Sequence, residues 1–261
     1  MKLIDIHGHI YNEQVEGAKY IGFDDLIKNL NKSGVDKIGI IQSILFDSDF
    51  SLKEIVGFAE RDKRIFVISA IDVKKEIGKQ LKEMEKYVRN GVVKGIKIYT
   101  GYQKVYAEDV QLEKVYDFCI SHDIPIMFHT GDTLVDDAEV KYSHPLQFDS
   151  LAVRYPQLKI ILAHMGNPWM EDCAEVVYKN KNVYVDISGF FTNVENKRYS
   201  ELMKRKVNDF ISYIQSCKIL FGTDFPIVDI LEYKKFVESL DLTDREKELV
   251  FFKNAKELFK L

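Results

Sequence analysis

Short apolar runs that are rich in β-branched residues recur along the chain, and longer segments separate them. The intervening segments, such as EIGKQLKEMEKYVRNG and DILEYKKFVESL, repeat apolar residues at helical spacing. Strands that alternate with helices predict βαβ units and a parallel sheet. The eight runs are KLIDIH (2–7), KIGIIQ (37–42), RIFVISAI (64–71), VVKGIKIY (92–99), IPIMFH (124–129), LKIILAH (158–164), NVYVDIS (182–188) and KILFGTD (218–224).

Eight strand–helix units in about 250 residues predict an α/β fold of the closed (β/α)8 type, a TIM barrel. An open, doubly wound sheet is the alternative, but no Gly-rich nucleotide loop follows the first strand. The segment Thr243-Asp244-Arg245-Glu246 has the pattern of a capping box and predicts an extra helix at the C-terminus. No linker or repeat divides the chain, so we predict one domain over residues 1–261.

The composition is that of an ordinary globular protein, with 46% hydrophobic residues and a formal net charge of −4. Because the chain has no basic stripe, a small-molecule substrate is expected rather than nucleic acid or an anionic membrane. No apolar run is long enough for a membrane span, and the N-terminus does not resemble a signal peptide. Three scattered cysteines favour reduced thiols and a cytoplasmic location. Whether the chain forms a homodimer stays open.

Four of the six histidines stand at the carboxyl ends of predicted strands, where barrel enzymes carry their chemistry. His7 and His9 share one face of the first strand, because residues two apart in a strand point the same way. His129 ends the fifth run and His164 the sixth, while Asp224 closes the eighth. Imidazoles with a carboxylate predict a divalent-metal site, with Zn²⁺ as the default and Mn²⁺, Fe²⁺ or Co²⁺ as alternatives.

These motifs together resemble the amidohydrolase superfamily, specifically the amidohydrolase-2 (amidohydrolase-related) branch that includes aminocarboxymuconate-semialdehyde decarboxylase. The resemblance extends over nearly the whole chain. A His-x-His pair alone is a weak signal, whereas the ordered set on successive strands is specific. The motifs that carry it are IDIHGH, GIKIY, PIMFHTGD, SHP, RYPQLKIILAHMG, NVYVDISG, LFGTDFP and NAKELF.

The resemblance implies a metal-dependent enzyme and assigns roles to several residues. His164 would be an additional ligand or a group that polarises the substrate. If two metals were bound, Lys97 would be carboxylated and would bridge them. The GIKIY motif, however, resembles the branch that binds a single metal, so one metal is expected. Asp224 would also accept and return a proton during catalysis. The implied metal ligands are His7, His9, His129 and Asp224.

Further positions are expected to touch the substrate or to support the ligands. Asp5, two residues before His7, is expected to orient a ligand histidine, with an ion pair to an interior lysine as the alternative. Trp169 is expected to pack over the barrel mouth, and His144 either lines the pocket or packs at a helix start. The residues expected in one of these two roles are Lys97, Tyr99, Asp5, Asp186, Trp169 and His144.

The leading hypothesis for function is a hydrolase that uses a metal-activated water to cleave an ester, lactone or amide. The alternative is a non-oxidative decarboxylase of a small aromatic or muconate-like acid, which requires a cation for the substrate carboxylate. Among the arginines considered, only Arg198 follows a strand's carboxyl end, which favours hydrolysis, although Lys97 offers a cation for the alternative. A non-catalytic binding barrel is a third hypothesis. The loops expected to set specificity contain no diagnostic motif: 10–22, 43–50, 100–108, 130–147 and 189–200.

Overall fold

A computed structural model describes residues 2–13, 22–46, 48–190 and 196–261. Its β-strands form one sheet in which every neighbouring pair is parallel and the spatial order follows the chain order. The predicted parallel barrel is therefore confirmed. The strands are β1 (Ile4–Gly8), β2 (Lys37–Ile41), β3 (Ile65–Ala70), β4 (Val93–Ile98), β5 (Ile126–Phe128), β6 (Ile160–Leu162), β7 (Val183–Asp186) and β8 (Ile219–Leu220).

Helices connect successive strands and cover the outside of the sheet. In the described part of the chain, no helix has both the length and the apolar character required to cross a bilayer. The α-helices are α1 (Gly22–Ser33), α2 (Leu52–Arg61), α3 (Ile77–Arg89), α4 (Thr100–Gln103), α5 (Glu113–His122), α6 (Gln147–Arg154), α7 (Met170–Lys179), α8 (Lys197–Tyr213), α9 (Ile230–Glu238), α10 (Asp244–Glu248) and α11 (Asn254–Phe259).

The barrel closes between β1 and the residues that surround β8. The Ile6 amide donates to the Phe221 carbonyl at 2.9 Å, and the Asp224 amide donates to the His7 carbonyl at 2.8 Å. Gly8 also forms a parallel bridge with Phe225. This closure brings the end of the chain's last strand beside the His-x-His pair, so it positions Asp224 next to His7 and His9.

The C-terminal segment closes the opposite end of the barrel. The predicted capping box is present, since the Thr243 side chain accepts from the Glu246 amide and Glu246 returns the bond. Helix α11 then places Phe259 against Phe66 inside the sheet, with ring centroids 5.2 Å apart. Leu258 joins the same buried cluster. Because a buried aromatic side chain contributes about 1.5–3 kcal/mol, this plug stabilises the end of the barrel that carries no site residues.

The apolar runs of β6 and β8 continue beyond the strands into turns with a left-handed backbone. The run 158–164 is a strand only over β6, and residues Ala163–Gly166 turn through a 3-10 helix in which His164 has φ 59°. The run 218–224 is a strand only over β8, and Asp224 has φ 65°. A left-handed backbone cannot continue a strand ladder. His164 and Asp224 therefore stand on turns just beyond the strands, which re-aims both side chains.

Candidate active site

A cavity that opens to solvent lies at the carboxyl ends of the strands. Apolar side chains, including Leu45, Leu134 and Ile227, line this cavity together with ionisable groups. The predicted site residues that line it are His7, His9, Lys97, Tyr99, His129, His164 and Asp224. Most of the site predicted from the sequence is therefore assembled around one cavity.

His7, His9 and Asp224 form the compact donor cluster of this cavity. Nε2 of His7 and Nε2 of His9 each lie 3.5 Å from Oδ1 of Asp224, and one donor atom from each residue lies within 4.8 Å of the others. Donors that surround Zn²⁺ at about 2.1 Å in a tetrahedral arrangement stand about 3.4 Å apart. The residues present therefore fit a divalent ion held by two imidazoles and a carboxylate.

The orientation of His7 is set from behind by Asp186. His7 Nδ1 lies 2.7 Å from Asp186 Oδ2, so the ring donates Nδ1–H to the carboxylate and presents its unprotonated Nε2 to the cluster. Burial lowers the pKa of His7 to about 4, although Asp186 opposes this shift. The imidazole is therefore neutral near pH 7, which is the form that binds a metal.

Asp224 is the ionised member of the cluster. Burial favours the protonated carboxyl, but the hydrogen bond from His9 and the neighbouring His7 and His164 rings outweigh it, so the pKa of Asp224 lies well below its usual range. A carboxylate that stays charged at all working pH values suits a metal ligand or a proton acceptor. It is a poor proton donor for the same reason.

His129 lines the cavity but lies outside the compact cluster. Its ring centroid is 5.0 Å from that of His164. Nε2 lies 2.7 Å from the Asp132 carbonyl oxygen, which only accepts, so Nε2 carries the proton and Nδ1 is the nitrogen available as a donor to a metal. Burial lowers the pKa of His129 well below its usual value. The expectation that His129 is a ligand stays a prediction.

A second group of hydrogen bonds in the site centres on His164. Its amide donates to Asp186 Oδ1 at 2.9 Å, and its Nδ1 lies 2.8 Å from the Ser188 hydroxyl oxygen. His7, His164 and Asp186 also lie close enough to resemble a metal cluster. Hydrogen bonds already engage the facing atoms of this trio, so it acts as a support for the two rings.

The predicted roles of Asp5 and Asp186 are corrected by these contacts. Asp5 accepts from the His7 amide at 3.0 Å and from the Thr223 amide at 3.1 Å, so it braces the backbone of β1 and the turn after β8 rather than an imidazole. The reason is depth, because a residue two positions earlier in the strand lies one layer below the ring. Asp186, expected near the substrate, is fully buried and orients His7 instead.

Lys97 is the buried cation of the cavity. Among the described residues its Nζ has no hydrogen-bond partner, and it lies 5.3 Å from the ring centroid of Tyr99. Burial lowers the pKa of Lys97 to about 8, against the attraction of Asp186 and Asp224. Tyr99 also lines the cavity, but its hydroxyl donates to the Gln42 carbonyl at 2.9 Å and is not free for a substrate.

Trp169 and His144 lie outside this cavity. Their rings contact each other at 4.8 Å, and His144 Nε2 lies 3.4 Å from Asp172. Trp169 lines a separate groove beside α7 and α8. The prediction that Trp169 packs over the mouth is therefore wrong, and His144 packs at a surface rather than lining the pocket. Trp169 follows the turn after β6, whereas His144 lies between β5 and α6.

Two aromatic residues of the cavity were not singled out from the sequence. The Tyr11 ring stacks on that of His9 at 5.9 Å, and the Tyr102 ring contacts that of His129 at 4.9 Å. Tyr11 stands two residues after His9, a spacing that could have indicated it, whereas Tyr102 lies in a short loop helix that no pattern predicts. Residues 14–21, 47 and 191–195 of the predicted specificity loops lie outside the described residues.

Comparison with solved structures supports the architecture. An uncharacterised TIM-barrel protein of Bordetella bronchiseptica matches with a TM-score of 0.80 at 17% identity, covering 100% of this chain and 99% of that one. A dihydroxybenzoic acid decarboxylase of Polaromonas sp., determined with manganese and the inhibitor 2-nitroresorcinol, matches with a TM-score of 0.73 at 17% identity, covering 100% and 97%. At these identities the similarity shows the fold.

Sequence comparison identifies the family. A gamma-resorcylate decarboxylase of Polaromonas sp. is 27% identical over 172 residues, which covers 53% of this chain and 51% of the relative. This chain thus spans about half the length of that curated relative. The Amidohydro_2 family model, described as Amidohydrolase, matches residues 54–261. The resemblance read from the motifs is confirmed, and the chain belongs to the amidohydrolase family.

Proposed function

We propose that the protein is a metal-dependent, non-oxidative decarboxylase of a small hydroxylated aromatic acid. The sequence favoured the hydrolase over the decarboxylase because few arginines were expected near the site, and we now place the decarboxylase first. Arg198 is exposed at the start of α8 and does not line the cavity. The observation that carries the proposal is the ammonium of Lys97, which has no hydrogen-bond partner within the described part of the chain and lies in the same cavity as the His7–His9–Asp224 cluster.

A buried ammonium without a partner is costly, because burial removes the water that stabilises its charge. An anionic substrate would provide the missing partner, since a carboxylate accepts a charge-assisted hydrogen bond from Nζ. A ring with a hydroxyl beside its carboxylate could then present an oxygen to the donor cluster. The similarity to decarboxylases of hydroxylated benzoic acids supports this substrate class.

The chain's own groups can provide the proton that decarboxylation requires. The bond from the ring carbon to the carboxylate breaks, its electron pair stays on the ring carbon, CO₂ leaves, and a proton takes its place. We assign this proton to Nε2 of His164, because Asp224 is too acidic to donate one. Nδ1–H of His164 stays held by Ser188, and Ser188 contacts the Asp186 carboxylate. That charge stabilises the imidazolium from which Nε2–H is delivered.

His7, His9 and Asp224 would hold the metal, with His129 Nδ1 as the further predicted donor. When bound, a divalent ion supplies Lewis-acid polarisation of a substrate oxygen. Imidazole and carboxylate ligands suit Zn²⁺ and Mn²⁺ alike, so we propose one of these two. The two tyrosine rings that line the cavity beside His9 and His129, Tyr11 and Tyr102, would pack against the substrate ring.

Hydrolysis of a lactone, ester or amide is the second candidate. It is favoured by the ionised Asp224, which could accept a proton from a water molecule as that water attacks a carbonyl carbon. His164 would then stabilise the developing oxyanion. A neutral lactone, however, would leave Lys97 without a partner, which is why we place this candidate second.

The deciding experiment compares the two reactions on one panel of substrates. The protein is loaded separately with Zn²⁺ and Mn²⁺, and CO₂ release from hydroxybenzoic acids is measured beside cleavage of neutral and carboxylated lactones. We expect CO₂ release, and we expect Lys97→Met to lower kcat/KM by about 10- to 150-fold, the value of a charge-assisted hydrogen bond.

Lys94→Met is the matched control, because Lys94 lies on the same strand, is partly exposed and bonds the Lys260 carbonyl outside the cavity. It should leave turnover unchanged. Lactone cleavage without CO₂ release would establish the hydrolase, and bound metal without turnover on any substrate would support the binding barrel. Equal losses in the two lysine variants would remove the assigned role of Lys97.

A further inference from the structure

We infer that Ser188 is a positioning residue that holds the His164 imidazole in the tautomer with its proton on Nδ1. Nε2, which has no partner among the described residues, is then the nitrogen that can take up a proton and exchange it with the substrate. Ser188 is fully buried and does not line the cavity, so it acts through His164 rather than by touching the substrate. Only the kinetic consequence of this inference rests on the proposed function.

The assignment follows from where each proton can go. The Asp186 carboxylate accepts from the amides of His164 and Ser188 through Oδ1, at 2.9 and 3.2 Å, and from His7 Nδ1 through Oδ2, at 2.7 Å. An ionised carboxylate only accepts, so the Ser188 hydroxyl, which also contacts Oδ1, must donate its single proton there. The hydroxyl oxygen can then offer only lone pairs to its other neighbours.

Both atoms that face His164 Nδ1 are therefore acceptors. One is the Ser188 hydroxyl oxygen at 2.8 Å, and the other is the Ser188 carbonyl oxygen at 3.3 Å. A bare Nδ1 would place its lone pair against two others, so Nδ1 must carry the hydrogen. His7 does not depend on this arrangement, because Asp186 accepts from its Nδ1 directly. The Ser188 hydroxyl oxygen also lies 3.1 Å from His7 Nδ1, but that nitrogen keeps its shorter bond to Asp186, so removing the hydroxyl should affect mainly the His164 ring.

Removing the Ser188 hydroxyl should weaken the preference of His164 for the tautomer with hydrogen on Nδ1. In Ser188→Ala only the longer contact to the carbonyl remains, and the form with Nε2–H becomes accessible. That form must take up its second proton at Nδ1, where only the Ser188 carbonyl would remain to accept the hydrogen bond, so the imidazolium that delivers Nε2–H is less well stabilised. An incorrect histidine tautomer is known to be costly in catalysis, by about 10⁴-fold in a serine protease. We expect at least a tenfold loss of kcat, with KM changed less than twofold.

The test uses the full chain loaded with Zn²⁺ and labelled with ¹⁵N-histidine. Long-range ¹H–¹⁵N spectra report which nitrogen of each ring is protonated. Wild type should show Nδ1–H at His164, Ser188→Ala should show a shift toward Nε2–H, and Ser188→Thr should restore the wild-type pattern. Ser143→Ala is the control, since it removes another buried hydroxyl, one without a hydrogen-bond partner.

Zn²⁺ affinity gives a second measurement. It should change less than threefold in Ser188→Ala, because Asp186 still orients His7. Nε2–H at His164 in wild type, or an unchanged tautomer in Ser188→Ala, would overturn the inference. If the spectra behave as expected while no acid or lactone is turned over, the proposed function fails and the role of Ser188 in fixing the tautomer stands.

Discussion

Replacing Lys97 by methionine should make the metal-free protein more stable. The Lys97 side chain is fully buried, its Nζ has no hydrogen-bond partner among the described residues, and burial lowers its pKa from 10.5 to about 8. Because each tenfold change in proton affinity corresponds to 1.36 kcal/mol, the folded state carries a cost of about 3 kcal/mol for holding this charge. Methionine has a similar length and no charge, so the cost is removed.

The pH dependence of this gain follows from the two pKa values. Below about pH 8 the lysine is charged in both states, and the folded state carries the full cost. As the pH rises toward 10.5, the folded protein already holds neutral lysine while the unfolded chain is losing its proton, so the cost falls to zero. The advantage of Lys97→Met should therefore be largest at neutral pH and vanish near pH 10.5.

Urea denaturation of the metal-free proteins at pH 7 and pH 10.5 measures both effects. The gain of about 3 kcal/mol corresponds to a rise in Tm of about 6–12 °C for a protein of this size. Lys94→Met, a partly exposed position, should change the free energy of unfolding by less than about 0.5 kcal/mol. The reasoning would be refuted if Lys97→Met were no more stable than wild type at pH 7, or if its gain in stability were the same at pH 10.5 as at pH 7. Either result would show that the buried charge does not destabilise the fold.

Three further outcomes are expected. Asp224→Asn should weaken Zn²⁺ binding and reduce turnover at least 100-fold with an unchanged circular dichroism spectrum; full activity would refute its role. Metal-free stability should fall by up to about 3 kcal/mol as the pH drops from 6.5 to 4, because the folded pKa of His7 is about 4, and His7→Gln should flatten this slope in urea titrations. Gly189→Ala should lower kcat more than tenfold, because the added Cβ would lie 2.7 Å from His164 Nδ1. Gly22→Ala is the control, since Gly22 has a similar φ but open space around it, and it should cost only about 1 kcal/mol of stability. Equal activity of the two alanine variants would refute the contact with His164.

The barrel could be predicted from the sequence because each strand lies within a short apolar run that can be recognised locally. The runs that become β2, β3 and β4 are rich in Ile and Val, and almost all of their residues are buried, as expected for strands covered on both faces. The ends of β6 and β8 could not be read in the same way. Residues after these strands remain apolar and buried, so hydropathy continues while the backbone turns to positive φ.

The donor cluster was predictable for a reason of geometry. His7 and His9 share a face of one strand, and barrel closure brings the turn after β8 beside β1, so Asp224 meets them. The support of His7 by Asp186 was not predictable, because it depends on how far β7 reaches relative to β1 across the barrel. The same holds for His129, whose available nitrogen is decided by a backbone carbonyl that no sequence pattern reveals.

The lack of a hydrogen-bond partner for Lys97 among residues 2–13, 22–46, 48–190 and 196–261 has a structural cause that bears on the reaction. Asp186, one of the two carboxylates that attract it, already accepts from four donors supplied by His7, His164 and Ser188. The other, Asp224, is engaged by His7 and His9. An ion pair with Lys97 would break contacts that hold the imidazoles in place, so the fold retains the cost of the free ammonium. A carboxylate that enters with the substrate removes this cost without disturbing either acid, and binding should therefore favour carboxylated ligands over neutral analogues of the same shape.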